Sequence, residues 1–436
     1  MTTTATSPAV DGTKLTKKGK KALIAGSIGN AVEWVDWAIY TTFSSIFAHH
    51  FFPPGNDAAA LLSTLAIFAV GFVMRPVGAA VMGAYADRHG RKKGLVLTIG
   101  LMAGATLLIG LSPTFDQVGI IAPIILVAAR MVQGFAAGGE FGSSSAFIVE
   151  SAAPKRRAFA GSWQQVSVGA GVLIASGIGT IITSTLPEEA VDSWGWRLAF
   201  VIAASLGFVG LWLRRAVEDT DSFELAKTRN AEAGEKRNAL FRMFVEHPKA
   251  VLRVFGITIA GTLLYYMWVS YMPTYASVAT GIPLNLALLA NFISMVVFLV
   301  LLPFAGILSD KIGRKPTMAA FAGGFLIFSW PAFQLLNGDF WMLLAIELVG
   351  IVLLLGYSAN CAVIMAEQFP PEVRATGIGL PYALAVAVFG GTAPYITTWM
   401  NTNGYGGWVW LYCAVAAAIG LVVYLTMPET KGKKLD

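Results

Sequence analysis

Six ionisable side chains stand inside apolar stretches long enough to cross a bilayer: Glu33, Asp36, Arg75, Arg130, Glu140 and Glu347. A charge in hydrocarbon costs a few kcal/mol or more, so each one calls for a function or a partner. Glu33 and Asp36 are one helical turn apart and share a face. At 1.5 Å per residue, Asp36 and Arg130 fall near the midplane, slightly to the outer side. Arg75 falls about 6 Å to the cytoplasmic side, near the level of Glu33. An acid opposite a base can couple proton binding to motion, because protonation frees the arginine and deprotonation restores the pair. Asp36 with Arg130 is the candidate proton site, and Glu33 is the competing acid.

Arg75 and Arg130 are also the cations placed to hold a carboxylate, each offering the two-point grip of a guanidinium. Gln133 is a neutral candidate beside them. The second half of the chain supplies Tyr265, Tyr357, Asn360 and Tyr382 as neutral ligands. The same charges could instead pin helices together. For Glu140, beside Gly138, Gly139 and Gly142, that structural reading leads. Arg75, just before Pro76, could pair with Glu33, and Glu347 has no visible partner in its own half.

The elements that carry these residues follow from composition. Of 436 residues, 56% are hydrophobic and 13% charged, where a soluble domain is nearer a quarter charged. The expectation is an all-α integral membrane protein. Twelve spans are expected, near 20–48, 58–85, 93–113, 119–149, 157–185, 196–215, 249–278, 285–309, 316–336, 340–368, 373–400 and 406–427. Lys and Arg gather in alternate loops, so both termini are expected in the cytoplasm. The net charge of +6 then reflects topology, and no nucleic-acid partner is implied.

The expected organisation is a tail at 1–19, a six-helix bundle at 20–216, a cytoplasmic linker at 217–248, a second bundle at 249–427 and a tail at 428–436. Cys361 and Cys413 both fall in apolar segments, which argues against a disulfide. His49, His50, His89 and His247 are expected at loop edges and in no cluster. No metal, no cofactor and no enzymatic chemistry are expected, because there is no metal-ligand spacing, nucleophile elbow or phosphate loop. Phe and Trp residues are expected mostly at the lipid face or the interface.

A short charged loop repeats. Gly83, Asp87, Arg88, Gly90, Arg91 and Lys92 recur as Gly306, Asp310, Lys311, Gly313, Arg314 and Lys315, at an offset of 223 residues in each case. The glycines permit close approach and a tight turn, and the aspartate can accept from a neighbouring helix start. Repeats of this length mark a duplicated unit. The pattern, twice in register, resembles the signature of the major facilitator superfamily. That resemblance implies two pseudo-symmetric six-helix bundles around a central cavity. It also implies gating by Gly83, Asp87, Arg88, Gly90, Arg91, Gly306, Asp310, Gly313 and Arg314. Glu150 with Arg157, and Glu367 with Arg374, resemble the superfamily's cytoplasmic salt-bridge layer, and Pro428–Gly432 resembles a familiar ending.

Further stretches narrow the resemblance. They are Gly29–Trp37, Phe51–Pro53, Met74–Gly78, Arg130–Gly134 with Gly138–Glu140, and Trp194–Arg197. Together they are similar to the metabolite:proton symporter family, over nearly the whole chain after the tail. Phe369–Gly379 and Phe389–Thr392 are more similar to its α-ketoglutarate carriers than to its proline/betaine carriers. The resemblance implies proton-coupled symport of a small organic acid, a di- or tricarboxylate such as α-ketoglutarate, into the cell by alternating access. A zwitterionic compatible solute, or an aromatic or hydroxy acid such as shikimate, is the alternative cargo. The expected partners are that anion, protons and the lipid bilayer, with the monomer as the working unit in the plasma membrane.

Overall fold

The computed structural model describes residues 17–89, 91–138, 140–150, 152–215, 244–370 and 373–433. Gly90, the side chains of Gly83, Asp87, Arg88, Arg91, Glu140 and Glu150, and most of the expected linker and both tail ends lie outside the described residues.

In the first half, α1 is Lys17–Phe51 and α2 joins Asp57–Val73 to Arg75–His89. α3 is Arg91–Leu111, and α4 joins Ile121–Ala137 to Glu140–Glu150. α5 is Arg157–Thr185 and α6 is Trp196–Arg215. In the second half, α7 runs through Pro248–Tyr265, a wider turn at Tyr266–Tyr271, and Met272–Thr280. α8 is Leu284–Ile312, α9 is Arg314–Leu335, and α10 joins Phe340–Ser358 to Cys361–Ala366. α11 runs through Arg374–Ala385, Val386–Gly390 and Ala393–Thr402, and α12 is Val409–Thr426. Every expected span coincides with one of these. Among the described residues nine helices are long and apolar enough to cross a membrane, and Val96–Leu111 and Ile121–Ala137 are shorter apolar helices.

Local chemistry sets several boundaries. Asn56 Oδ1 accepts from Ala59 N (2.9 Å) at the start of α2, and Asp339 Oδ1 accepts from Met342 N (2.9 Å) at the start of α10. Each satisfies a donor that the first turn leaves open. Gly313, at φ +115°, makes the sharp connection from α8 to α9. A side chain there would be strained, as the loop motif anticipated.

The helices pair in a pattern that repeats after six. α1 packs on α5 and α6 as α7 packs on α11 and α12. α2 meets α4 as α8 meets α10, and α3 meets α6 as α9 meets α12. Across the halves, α5 lies along α8 and α2 along α11, again one relation seen twice. This is the pseudo-two-fold of a duplicated bundle. α7 is the most enclosed of the nine long spans, with 78% of its apolar window buried against 33% for α8. It therefore faces protein on nearly all sides, while α8 keeps one face for lipid.

The halves touch at both ends. At the end bearing Lys155, Arg156 and Lys311 (the basic end), Gly142 on α4 fits against α11, where a Cβ would stand 2.4 Å from the Ala375 carbonyl oxygen. Phe141 stacks on Tyr382 there, with centroids 3.8 Å apart. Towards the other end, Thr274 Oγ1 donates to the Thr41 carbonyl (3.0 Å), and Ser176 Oγ donates to Asn291 Oδ1 (2.6 Å). The conformation is closed on both sides of the centre.

Candidate functional site

α2 and α4 cross with almost no side chain between them. A Cβ on Gly134 would stand 1.8 Å from the Gly71 carbonyl oxygen, one on Gly78 1.9 Å from that of Phe135, and one on Gly138 2.0 Å from that of Arg75. Three glycines along one crossing let the backbones meet. That contact brings Arg75 and Arg130 to the same indole. Cζ of Arg75 lies 4.5 Å from the Trp37 ring centroid and Cζ of Arg130 lies 4.2 Å from it. Phe72 also faces Arg75 (4.5 Å), and Tyr40 faces Arg130 (4.1 Å). Cation–π contacts of this kind strengthen when water is excluded, and Arg130 and Trp37 are almost fully buried.

The expected direct pair between Asp36 and Arg130 is not what forms. Arg130 Nη1 donates to Gln133 Oε1 (2.7 Å), Gln133 Nε2 donates to Thr106 Oγ1 (3.0 Å), and Thr106 Oγ1 donates to Asp36 Oδ1 (2.5 Å). A relay of two neutral side chains thus separates base from acid. The reason is angular: Trp37, the next residue on α1, occupies the space in front of Arg130. Asp36 turns instead toward α3. Its Oδ2 has no hydrogen-bond partner among the described residues, and neither do Nε and Nη2 of Arg130. Glu33 does reach a base, with its Oε1 4.0 Å from Arg75 Nη2.

Facing these groups from α7 are Tyr265 and Tyr266, both buried, with hydroxyls that have no hydrogen-bond partner among the described residues. Trp34 lies between the halves, with ring centroids 6.0 Å from Tyr265 and 5.8 Å from Tyr266. Tyr266 also meets Phe72 edge-on (5.2 Å). Four buried guanidinium nitrogens without a hydrogen bond among the described residues (Nε and Nη2 of Arg75 and of Arg130, with Nη2 of Arg75 ion-paired to Glu33) and two hydroxyls therefore gather at the centre. Buried donors without acceptors are costly, and an anion with several oxygens would satisfy them.

Other sequence candidates fall elsewhere. Asn360 does not face the centre: it accepts from Ser309 Oγ (2.5 Å) and donates to Thr317 Oγ1 (3.0 Å) and the Gly356 carbonyl (2.8 Å), all in the second half. Those three bonds hold α8, α9 and α10 together. Gln133 is committed to the relay. Tyr357 lies over Gly261, where a Cβ would come within 2.0 Å of its ring, and Tyr382 stacks on Phe141 while interacting electrostatically with Tyr266, Arg75 and Glu33 of the centre. Glu347 is fully buried, and neither neighbouring Ser294 nor Asn291 completes a hydrogen bond to it.

At the basic end, Asp310 accepts from the backbone of Ala158 (3.0 Å) and Phe159 (2.9 Å) at the start of α5, and pairs with Arg314 (2.9 Å). Gly306 allows this approach, since a Cβ there would stand 2.8 Å from the Ala158 carbonyl oxygen. Glu367 lies 3.8 Å from Arg157 of the first half and 3.5 Å from Arg314. Arg374 Nε donates to the carbonyls of Ala366 (3.1 Å) and Phe369 (3.2 Å). The chain end straps over this layer. Arg157 Nη1 donates to the Lys433 carbonyl (2.6 Å), and Glu429 accepts from the backbone of Arg314 and Lys315 (3.0 Å each).

Two further sequence readings need correction. The histidines do cluster: His49 and His50 meet Asp192, 3.2 and 3.6 Å from its Oδ1, on a partner 142 positions further along that spacing could not reveal. His50 Nε2 also lies 2.7 Å from the Asp192 carbonyl oxygen, so ordinary hydrogen bonds account for the trio. Trp34 and Trp37 are central rather than lipid-facing. Thr106, Trp37 and Glu429 were missed as well. Trp37 carried little signal, because adjacent residues on a helix point about 100° apart and Asp36 turns away from the arginines that Trp37 meets. Thr106 carried none.

With the geometry in hand, comparisons place the chain among known proteins. It matches the family described as "Major Facilitator Superfamily" over residues 26–301, and "Sugar (and other) transporter" over residues 229–436. It is 36% identical over 414 residues to the "Alpha-ketoglutarate permease" of Escherichia coli, covering 94% of each chain. It is 34% identical over 424 residues to the "Glycine betaine/proline/ectoine/pipecolic acid transporter OusA" of Dickeya dadantii, covering 95% of this chain and 84% of that one. A solved structure of the xylose transporter XylE from Escherichia coli superposes with a TM-score of 0.73 at 19% identity, covering 95% and 99%.

Proposed function

This chain belongs to the major facilitator superfamily and is a multi-pass secondary transporter, not an enzyme; we propose that it brings a small organic di- or tricarboxylate into the cell together with protons. The observation that carries this is the set of uncommitted donors at the centre. Arg130 presents two nitrogens without a hydrogen bond, Arg75 presents Nε and an Nη2 that faces only Glu33, and Tyr265 and Tyr266 present hydroxyls from the other half. A carboxylate entering such a site needs compensating charge, and guanidinium forks supply it.

In this reading Asp36 takes the coupling proton, the relay through Thr106 and Gln133 passes its charge state to Arg130, and Glu33 does the same for Arg75. The basic end is the cytoplasmic gate, closed by Asp310, Arg157, Glu367 and Arg314, with Asp87 the symmetric partner of Asp310. The working unit is the monomer, with residues 20–216 and 249–427 as its two moving halves, a linker at 217–248, and both termini in the cytoplasm under the plasma membrane.

The aromatic faces of Trp34, Phe68, Phe72 and Tyr266 favour a second reading, since they could hold a quaternary ammonium group. A labelled panel of α-ketoglutarate, citrate, shikimate, betaine and proline, offered to proteoliposomes with an imposed pH gradient, separates the two. Gradient-dependent, saturable dicarboxylate uptake is expected. Uptake of betaine or proline alone would replace the carboxylate reading.

A further inference from the structure

On α1, Trp34 faces the second half, and Asp36, two residues later, points nearly the opposite way, about 200° around the helix. On that far side lies a cavity of about 20 Å³. α1 lines it with Val32, Glu33 and Asp36, and α3 lines it with Thr98, Met102 and Thr106 at helical spacing. Small residues of α4 and α6, among them Ala203 and Gly207, close it. All of these belong to the first half.

The volume suits one water, which needs about 10–15 Å³ and two to four polar partners. The lining offers those partners: Asp36 Oδ2, buried and without a hydrogen-bond partner among the described residues, the Glu33 carboxylate and the Thr106 hydroxyl. The lining also has a direction. Thr98 and Thr106 are about 12 Å apart along α3, too far to bond one water, and among the polar members Thr98 and Glu33 are nearer the basic end, where Thr98 lines the way out.

We propose that this cavity holds a water joining Asp36 to Glu33, giving the coupling proton a path to the basic end that runs inside the first half and not between the halves. The step balances. The O–H bond of protonated Asp36 breaks and its proton passes to the water, while the water gives one of its own to a Glu33 oxygen. Asp36 becomes a carboxylate, Glu33 becomes neutral, and Glu33 then releases the proton to the aqueous phase. The charged groups around the path are few. Arg130 of α4 acts on Asp36 through Gln133, and Arg75 of α2 stands 4.0 Å from Glu33. α3 contributes Thr98, Ile99, Met102, Ala103 and Thr106 to the lining, none of them charged, and α6 contributes nothing titratable at Ala203 or Gly207; from the second half, Tyr266 and Tyr382 also act on Glu33. While Glu33 holds the proton its pair with Arg75 is cancelled, so transit would loosen the second substrate cation. Proton and substrate would leave by separate routes.

The inference rests on Asp36 being the proton site, and the test separates the two. Ala203→Val fills the cavity, and Thr98→Val keeps its shape without the hydroxyl. Each is compared with Asp36→Asn in proteoliposomes for substrate counterflow and for accumulation driven by a gradient of one pH unit. That gradient supports about tenfold accumulation per proton, which is 1.4 kcal/mol. Both cavity variants should keep counterflow and lose the tenfold accumulation. Wild-type accumulation in them, with accumulation lost in Asp36→Asn, overturns the water path and leaves Asp36 in place. Wild-type accumulation in Asp36→Asn removes the proton site itself. Should Ala203→Val fail to fold, Ala103→Val fills the same cavity from α3 and decides.

Discussion

Asp36 and Arg130 communicate at one remove: the guanidinium bonds Gln133, and the carboxylate is bonded by Thr106. Neutral links transmit a change of charge only while every bond in the chain survives. Thr106→Val cuts the relay at both of its contacts without touching acid or base. It is expected to abolish pH-driven accumulation while counterflow persists. Intact accumulation in Thr106→Val would show that the relay is only a helix tie.

Arg75 offers Nε to a ligand, and Nη2 as well once Glu33 is protonated. Arg75→Lys keeps the charge and loses the fork, so dicarboxylate affinity should weaken about tenfold, or 1.4 kcal/mol. Arg75→Ala should weaken it further. Equal affinity in all three proteins, measured by competition for labelled substrate, would return Arg75 to the role of a partner for Glu33.

The crossing of α2 and α4 has no room for a methyl group. Gly134→Ala would drive a Cβ to 1.8 Å from the Gly71 carbonyl oxygen, and the helices must part at a cost of about 1–3 kcal/mol or more. Gly104→Ala is the contrast, because nothing lies within 4 Å of its Cβ position, and it should change stability by less than about 0.5 kcal/mol. Melting curves in detergent distinguish them, and equal curves would refute the close crossing.

Asp310 ties α8 to the first turn of α5 across the two halves. Asp310→Ala removes an acceptor from a helix N-terminus, which should favour opening of the basic end. A native reporter is available: Cys361, buried against Gln165 of the first half, with Gln165 Nε2 3.1 Å from its Sγ. Maleimide should alkylate Cys361 faster in the variant. An unchanged rate would make Asp310 a cap and nothing more.

Glu429 brings the pH question to the surface. Partial burial works against its charge, but the backbone N–H groups of Arg314, Lys431, Lys315 and Thr430 hold its carboxyl below the ordinary glutamate value of 4.5. A depressed acid stabilises the fold fully above its unfolded value, and that stabilisation is lost as pH falls through the folded one. The strap is therefore expected to be insensitive to pH between about 5 and 8 and to loosen only in stronger acid. Glu429→Gln should cost about 1 kcal/mol at neutral pH, the usual worth of a helix cap. A neutral-range pH dependence of Cys361 labelling that vanishes in Glu429→Gln would contradict this sign.

The sequence by itself determined the membrane class, the twelve crossings, the duplicated loop and the short roster of intramembrane charges. These are local quantities: apolar length, loop charge and a repeat at fixed offset can be read without knowing what lies beside a helix. It also carried the turn at Gly313 and the interest of Asp36, Arg75 and Arg130. Only the tertiary structure decided which way each helix faces. A rotation of α1 sends Asp36 to Thr106 and gives Trp37 the place between two arginines. Asn360 was reassigned to a bond network inside the second half, and His49 and His50 gained Asp192. Lateral contacts between helices join positions tens to hundreds of residues apart, as Arg157 meets the Lys433 carbonyl across 276 positions. Hydropathy reports how deep a residue lies in the bilayer but not its azimuth around the helix. Azimuth is set by close backbone crossings such as Gly71 with Gly134, which exist only once both helices are in place.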